Sequence, residues 1–347
     1  MQKTSKPDIK NLTKERLAQW LQDRKIDSYR ASQILKWIYL RQADDFESMT
    51  DLNKTMRAIL SDHFSIHRLE RVDTQTSEDG TTKYLFKLDD GCLIESVLIP
   101  ERDHCTLCIS SQVGCAQDCR FCLTAKQGLV RNLTPGEIIA QVRDVVKEVE
   151  DSKPMSNIVL MGMGEPLANY RNVIHAIHTI TDNEEGLRFS NRKVTLSTAG
   201  LIPKLSDLGK DTKINLAVSL NATDNATRSR LMPINRKYPI EDLIAACKNY
   251  PLPPTRRITF EYILIKDVND SEKDAERLSR LLRPLKAKIN LIPFNEFEGS
   301  GYSRSDDRTV DRFQEVLVKH HYTVMIRQSK GRDISAACGQ LSGSYNG

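Results

Sequence analysis

The stretch Cys108-Ile-Ser-Ser-Gln-Val-Gly-Cys115-Ala-Gln-Asp-Cys119-Arg-Phe-Cys122 holds four of the eight cysteines of this 347-residue chain. Its last three cysteines have the spacing Cys-x3-Cys-x2-Cys. Three thiolates this close in sequence can bind three irons of a [4Fe–4S] cluster and leave the fourth iron without a protein ligand. An iron with an open site can bind a substrate or cofactor, whereas a cluster with four cysteine ligands usually carries electrons. The stretch therefore predicts a cluster bound by Cys115, Cys119 and Cys122.

Zinc is the main alternative ligand for this stretch, because zinc also binds clustered thiolates. Zinc sites usually consist of two Cys-x2-Cys pairs, and Cys105-Thr-Leu-Cys108 is the other stretch with this spacing besides Cys119-Arg-Phe-Cys122. Cys108 or His104 can still supply a fourth ligand, so a zinc site stays open on the spacing alone.

Composition and charge limit the class of protein. Hydrophobic and charged residues occur at the proportions of an ordinary soluble protein, and no apolar run reaches the roughly 18 residues that a membrane span needs. The first residues, Met1-Gln-Lys-Thr-Ser-Lys-Pro, lack the apolar region of a secretory signal. We therefore expect a cytoplasmic protein without membrane contact, whose cysteines serve a metal or catalysis rather than disulfides. The net charge of +5 permits an acidic partner such as nucleic acid.

The residue pattern divides the chain into four segments. Residues 1–65 have the apolar periodicity of helices, and residues 66–103 read as a β-meander with glycine turns. Residues 104–327 alternate strand and helix over about six units, which predicts a parallel sheet, open or closed into a barrel. Residues 328–347 are rich in glycine and should be a loop. The predicted fold is therefore α/β, with a helical N-terminal module and a β-meander extension.

Basic residues scattered through the N-terminal helices have two interpretations. They can form an ordinary solvated face, or they can bind RNA phosphates. If the module serves only RNA, deletion of residues 1–65 should abolish RNA modification without affecting chemistry in the barrel.

A second group of polar residues lies at successive strand ends. Met161-Gly162-Met163-Gly164-Glu165-Pro166 combines glycines, which permit close approach to a ligand, with a carboxylate that can accept hydrogen bonds from an ammonium group. Further along the chain come Ser197, Ser219-Leu220-Asn221 and Asn295. Taken singly, these are turn and cap residues; together on one face they can form a polar ligand site.

Two further residues are open to interpretation. Glu95 lies inside the last strand of the meander, where its carboxylate either faces solvent or lines a site. Cys338 lies in Gly331-Arg-Asp-Ile-Ser-Ala-Ala-Cys338-Gly339-Gln340-Leu341, where a thiol in a loop can reach into a site or be an ordinary surface cysteine.

These motifs together resemble those of the RlmN/Cfr family of radical S-adenosylmethionine (radical SAM) rRNA adenine methyltransferases, over nearly the whole chain. The resemblance implies a partial (β/α)6 radical-SAM barrel with one [4Fe–4S] cluster. It also implies two S-adenosylmethionine molecules per turnover, one as methyl donor and one as radical source. Metal ligands would be Cys115, Cys119 and Cys122. The cofactor would contact the residues of the strand ends: Gly164, Glu165, Ser197, Ser219, Leu220, Asn221 and Asn295.

The resemblance also implies a reaction. Cys338 would carry the methyl group as S-methylcysteine, become covalently bound to the RNA, and then form a transient disulfide with Cys108. Glu95 would be the proton acceptor. Gly164-Glu165-Pro166 and Pro293-Phe294-Asn295 favour the branch that forms 2-methyladenosine; methylation at carbon 8 is the alternative. Ser335 departs from the family pattern, which has aspartate there.

The expected partners also follow from the resemblance. They are the peptidyl-transferase region of 23S rRNA, the adenosine 3′ of the anticodon in some tRNAs, and an electron donor such as flavodoxin or ferredoxin. We expect a monomer. Two alternatives remain: another radical SAM enzyme such as an activase or a mutase, which would have no use for a methyl-carrying Cys338, and a zinc-containing RNA-binding protein.

Overall fold

The computed structural model of the chain describes residues 6–149 and 153–343. The outer ends of the predicted helical module (residues 1–5) and of the predicted tail (residues 344–347) lie outside the described residues.

The N-terminal segment forms three helices, α1 (Lys14–Gln22), α2 (Arg30–Tyr39) and α3 (Lys54–His63). Side chains cap the first and third of them: Thr13 Oγ1 accepts from the Arg16 backbone N–H, and Asn53 Oδ1 accepts from that of Met56. Each helix buries one apolar face. This confirms the predicted helical region.

Three antiparallel strands follow, β1 (Glu70–Thr76), β2 (Thr82–Lys87) and β3 (Leu93–Pro100). Their turns contain Gly80 and Gly91 at positive φ, as the turn signals predicted.

The remaining elements alternate strand and helix, apart from one short hairpin. In chain order they are β4 (Cys105–Cys108), β5 (Gln112–Gly114), α4 (Leu123–Lys126), β6 (Leu129–Asn132), α5 (Pro135–Val149), β7 (Met155–Leu160), α6 (Tyr170–Thr181), β8 (Val194–Thr198), α7 (Leu205–Asp211), β9 (Asn215–Ser219), α8 (Asn225–Leu231), α9 (Ile240–Lys248), β10 (Ile258–Leu264), α10 (Glu272–Leu282), β11 (Ala287–Pro293), α11 (Asp307–Lys319) and β12 (Val324–Ile326).

One large sheet contains every strand except the hairpin pair β5 and β6, with the order β1-β2-β3-β4-β7-β8-β9-β10-β11-β12. The strands from β4 to β12 are parallel, and β3 joins β4 in antiparallel pairing. In the described residues β1 and β12 are the edges of this sheet, which is therefore an open, partial barrel. Six crossovers connect the parallel strands, which confirms the predicted fold.

The hairpin of β5 and β6 encloses the cysteine loop and was not predicted. Gly114 has φ +73°, and a Cβ there would lie 1.9 Å from the Gly128 carbonyl oxygen. A side chain at position 114 is therefore excluded, and the two ends of the cysteine loop are held together.

The helical module and the barrel share a hydrophobic core. Leu17, Ile34 and Ile38 belong to the same buried cluster as Ile138 and Val142 of α5. The fully buried Arg143 of α5 joins the two parts with polar contacts: its guanidinium donates to the carbonyl oxygens of Ile38 and Ala43 and to the carboxylates of Asp44 and Asp144. Deletion of residues 1–65 would expose this core, so any effect of the deletion on RNA modification would include a disturbance of the barrel.

In the described residues no helix combines the length and apolarity required to cross a membrane.

Candidate active site

Two adjoining cavities open along the inner face of the partial barrel. The larger has a volume of about 620 Å³ and the smaller about 150 Å³. Residues that line both cavities form the boundary between them; they include Met161, Glu261, Arg327 and Cys338.

Three cysteines line the smaller cavity. Cys115 follows β5, Cys119 lies in the loop, and Cys122 is the residue before α4. Burial raises the pKa of Cys115 to about 12, and burial likewise raises the pKa values of Cys119 and Cys122. Buried thiols that face one enclosed space suit metal binding, because a metal ion replaces their protons.

No group of three or more His, Cys, Asp or Glu side chains in the described part of the chain is arranged to hold a single metal ion. A [4Fe–4S] cluster does not need such a group, because each thiolate binds a different iron. The three cysteines therefore fit a cluster in the smaller cavity.

The loop after β7 presents Glu165 to the same cavity. Gly164 has φ +100°, and a Cβ there would lie 2.5 Å from Gln112 Cβ, so the loop packs directly on β5. The Glu165 carboxylate accepts hydrogen bonds from Thr198 Oγ1 at 2.8 Å and the Ala199 N–H at 2.7 Å. Burial raises the pKa of Glu165. The carboxylate is therefore fixed in position beside the cysteine loop.

The polar residues of the next strands fall into two groups. Ser197, Ser219 and Asn221 line the smaller cavity. Leu220 lines neither cavity: its side chain is fully buried, its N–H donates to the Glu261 carbonyl, and its own carbonyl accepts from Arg228.

Asn295 lines the larger cavity and contacts the tail. Its Nδ2 donates to the Cys338 carbonyl at 3.2 Å. Its Oδ1 is buried and has no hydrogen-bond partner among the described residues.

The structure brings two of the thiols outside the cysteine triplet, Cys108 and Cys338, into the larger cavity. Cys108 is the last residue of β4, and burial raises its pKa to about 12. Cys338 lies on the C-terminal loop and lines both cavities. Both are free thiols. A sulfur at position 338 thus faces the cluster cysteines on one side and Cys108 on the other.

The C-terminal loop is attached to the cysteine loop through α4. The Leu123 N–H donates to the Gly339 carbonyl at 2.7 Å, and Thr124 Oγ1 donates to the Leu341 carbonyl at 2.6 Å. Ser335 is exposed at φ +52° and lines neither cavity. Aspartate is more frequent than serine in this backbone region, so the departure from the family pattern concerns the loop backbone.

Glu95 lies on the inner face of β3, because the neighbouring Ser96 points outward to Gln141 of α5. Its carboxylate is buried and lines neither cavity, although Val97 on the same face lines the larger one. Glu95 Oε2 accepts from the N–H groups of Ser342 and Gly343 at 2.7 and 3.0 Å, and Lys83 Nζ lies 3.3 Å from Oε1. The C-terminal loop therefore covers this carboxylate.

Three residues that line the cavities were not predicted from the sequence. Arg327, just after β12, lies near Cys338, Glu261 and Cys108, and the proximity of Cys338 raises its pKa. Glu261 and Asn290 are mid-strand residues that face the cavities. No motif marks them, since a polar residue in a strand is usually turned to solvent.

Comparisons with known proteins cover the whole chain. Residues 7–66 match the family described as "Ribosomal RNA large subunit methyltransferase N-terminal domain", and residues 109–278 match the "Radical SAM superfamily". Proteins named "Dual-specificity RNA methyltransferase RlmN" from Desulfosudis oleivorans and Geobacter sulfurreducens are 59% and 53% identical to this chain. Those alignments cover 99% and 98% of this chain and 92% and 93% of the relatives.

A solved structure is similar as well. The crystal structure of a radical SAM methyltransferase from Sphaerobacter thermophilus is 42% identical, with a TM-score of 0.92, over 97% of this chain and 100% of that one. Radical SAM proteins use a [4Fe–4S] cluster and S-adenosylmethionine, which agrees with the three cysteines of the smaller cavity. On identities of this size over nearly its full length, the chain belongs to the RlmN family of radical SAM RNA methyltransferases.

Proposed function

We propose that this protein forms 2-methyladenosine in the peptidyl-transferase region of 23S rRNA, and at the adenosine 3′ of the anticodon in some tRNAs. The printed name of its relatives, a dual-specificity RNA methyltransferase, supports two RNA substrates. The observation that carries the proposal is the placement of Cys108 and Cys338 in one cavity, beside a second cavity lined by three cysteines.

The cofactors would lie in the smaller cavity and at its boundary. Cys115, Cys119 and Cys122 would hold the cluster. The S-adenosylmethionine contacts would come from Gly164, Glu165, Ser197, Ser219, Asn221 and, from the larger cavity, Asn295. Leu220 would act only by linking Ser219 to Asn221. When bound, these cofactors supply a methyl group and a 5′-deoxyadenosyl radical, using two S-adenosylmethionine molecules per turnover.

The role of Cys338 follows from the chemistry of adenine. Carbon 2 lies between two ring nitrogens and is a poor nucleophile, so direct transfer of a methyl cation to it is unfavourable. A thiol accepts a methyl group readily by displacement. Cys338 would hold that methyl carbon on its sulfur and present it, as a radical, to the base.

Cys108 and Glu95 would complete the transfer. Glu95 would remove the proton from carbon 2 of the RNA–Cys338 radical adduct, whose unpaired electron would pass to a one-electron acceptor such as the oxidised cluster, and a closed-shell adduct would remain. The Cys108 thiolate then attacks the Cys338 sulfur, an S–S bond forms, and the C–S bond breaks. The carbon leaves with the electron pair of that bond and takes up a proton. Reduction of the disulfide then requires cellular thiols, and an electron donor such as flavodoxin or ferredoxin would supply the cluster.

The helical module offers a surface for RNA. Three arginines stack on aromatic rings there: Arg24 on Trp20, Arg30 on Tyr29 and Arg41 on Trp37, at 3.9, 4.8 and 4.0 Å from the ring centroids. Basic residues beside aromatic rings are typical of RNA contacts. RNA held there would insert one unstacked base into the larger cavity.

Nucleoside mass spectrometry of rRNA and tRNA from cells with and without this protein tests the proposal. We expect 2-methyladenosine in both RNA classes to depend on the protein. Appearance of 8-methyladenosine instead would assign the alternative regiochemistry. A protein that contains zinc without iron and sulfide would contradict radical chemistry altogether.

A second measurement tests the carrier. After incubation with S-adenosylmethionine, the tryptic peptide of Cys338 should gain the mass of one methyl group, and a Cys338→Ala variant should gain none. An unmethylated Cys338 in active enzyme would refute the proposed route.

A further inference from the structure

Two adjacent polar side chains inside the barrel each have one oxygen without a partner. Glu261 of β10 and Asn290 of β11 are paired in parallel register. Asn290 Nδ2 donates to Glu261 Oε1 at 2.9 Å. In the described part of the chain, Glu261 Oε2 and Asn290 Oδ1 are buried and accept or donate no hydrogen bond. Buried polar atoms without partners are rare and destabilise a fold, so two of them side by side indicate a ligand.

The pair faces the substrate end of the active site. Both residues line the larger cavity, which Cys108 also lines. Asn290 and Cys108 do not line the smaller cavity with the cluster cysteines, whereas Glu261 lies at the boundary. The pair therefore shares the larger cavity with the two thiols, and Glu261 also borders the proposed cofactor site.

The existing hydrogen bond defines what the pair can bind. Asn290 Nδ2 already donates to Glu261, so the group that Asn290 offers to a ligand is its free Oδ1, which accepts a hydrogen bond. Glu261 is 4% exposed; burial raises its pKa, while Arg327, the hydrogen bond from Asn290 and Lys288 lower it, and we take Glu261 in its protonated form. A neutral acid has one O–H to donate. The pair thus presents one acceptor next to one donor.

We propose that Glu261 and Asn290 read the Watson–Crick edge of the target adenine. Asn290 Oδ1 accepts from the N6 amino group, and the Glu261 carboxyl group donates to N1. This inference rests on the proposed function, since it takes an adenine as the substrate base. Bidentate recognition of adenine by one donor and one acceptor follows the same logic as amide recognition of adenine in nucleic-acid complexes.

The arrangement has a consequence for the site of methylation. Carbon 2 is bonded to N1, so a base held through N1 and N6 has carbon 2 next to Glu261 and Asn290. A hydrogen bond to N1 also withdraws electron density from carbon 2, which favours addition of an electron-rich carbon radical. Engagement of N7 and N6 would instead place carbon 8 next to the pair.

The test compares the wild-type enzyme and the Asn290→Leu variant on two RNA substrates. RNA hairpins carry adenosine or purine riboside, which lacks the N6 amino group, at the target position. For the wild-type enzyme, loss of the amino group should lower kcat/KM by about tenfold or more, the usual value of a base-reading contact. For Asn290→Leu, the two substrates should react at similar rates. Asn157→Leu, which removes another amide from the same cavity, should keep the full dependence on the amino group.

Glu261 is tested with its conservative variant. Glu261→Gln retains a donor for N1 and an acceptor for Asn290, so it should keep most of the activity, whereas Glu261→Leu should lose it. S-adenosylmethionine cleavage without RNA should be retained by Asn290→Leu and Asn157→Leu, because these two residues line only the larger cavity, and cluster absorbance and thermal melting establish that all variants fold.

Three outcomes would overturn the inference. They are an amino-group dependence that Asn290→Leu leaves unchanged, a Glu261→Leu variant as active as wild type, and loss of RNA-independent cofactor cleavage in Asn290→Leu, which would assign the pair to the cofactor. If 2-methyladenosine forms in these cases, the proposed function stands and only the reading pair is refuted. A methyl group at carbon 8 would refute the function instead.

Discussion

Cys108 is buried, and the proposed reaction requires its thiolate. Because burial raises its pKa to about 12, the thiol is protonated at neutral pH, and the thiolate fraction increases about tenfold per pH unit below that value. We predict that resolution of the RNA–Cys338 adduct accelerates about tenfold between pH 7 and pH 8 and again to pH 9. Rapid-quench measurement of adduct decay checks this. Cofactor cleavage without RNA is the control, since it does not use Cys108; a decay rate independent of pH would contradict the prediction.

Single residues were predictable where a motif marked them. The cysteine spacing and the Gly164-Glu165 loop identified side chains that the fold brings to one cavity, because the ends of parallel strands meet at one edge of the sheet. Glu261 and Asn290 were not predictable. Which face of a mid-strand residue lines a cavity depends on the register of the whole sheet, and no local pattern encodes it. For Leu220, the neighbouring polar residues suggested a ligand contact that its buried side chain does not make.

The α4 helix connects two loops that lie far apart in sequence. Thr124→Val removes the hydrogen bond to the Leu341 carbonyl, which contributes about 1 kcal/mol in typical cases. We predict roughly fivefold faster amide hydrogen exchange in residues 336–343, together with slower RNA methylation. Thr181→Val is the matched control, because Thr181 Oγ1 donates only within its own helix, to Ile177. Equal exchange in both variants would show that α4 does not hold the loop.

Elements differed in how well the sequence predicted them. The alternation of strand and helix in residues 104–327 was predictable, since strands covered on both faces are continuous apolar runs. The hairpin of β5 and β6 was missed. Its strands contain three and four residues, too few for any periodicity, and the contact of Gly114 with Gly128 that closes it is a property of the backbone.

At the scale of the whole molecule, Arg143 holds the helical module on the barrel. Arg143→Ala would leave Asp144 buried without its main counterion. We predict a decrease of about 3–5 kcal/mol in the free energy of unfolding, as for other broken buried pairs, measured by urea denaturation. Arg68→Met is the control: Arg68 is exposed and contacts the same two carboxylates, and exposed pairs contribute about 0–1 kcal/mol. Equal effects of both variants would contradict the argument.

RNA binding by the module is best tested on its surface, since deletion would disturb the shared core. Arg24→Glu with Arg41→Glu removes two exposed cations from the aromatic rings. We predict weaker RNA binding and a shallower dependence of affinity on salt, by about one unit of log–log slope per arginine. Fluorescence anisotropy over a range of salt concentrations measures both. Arg280→Glu, an exposed arginine of α10, should leave the slope unchanged; the prediction fails if all variants behave alike.

The sequence predicted the family and the architecture because the motifs and the strand–helix alternation extend over most of the chain. It did not predict how the module docks. No motif marks Arg143 or Asp44, and only the packed helices show that Arg143 is fully buried against Asp44.

The contact between Glu95 and the C-terminal loop would impose an order on the proposed reaction. The segment that covers the Glu95 carboxylate with two N–H groups follows Cys338 by only a few residues. We therefore expect the movement that delivers the methylated sulfur to the base also to uncover the carboxylate. Removal of the proton from carbon 2 would then be delayed until the Cys338 sulfur has moved. The enzyme would therefore not expose the Glu95 carboxylate to an RNA that has not yet formed the adduct.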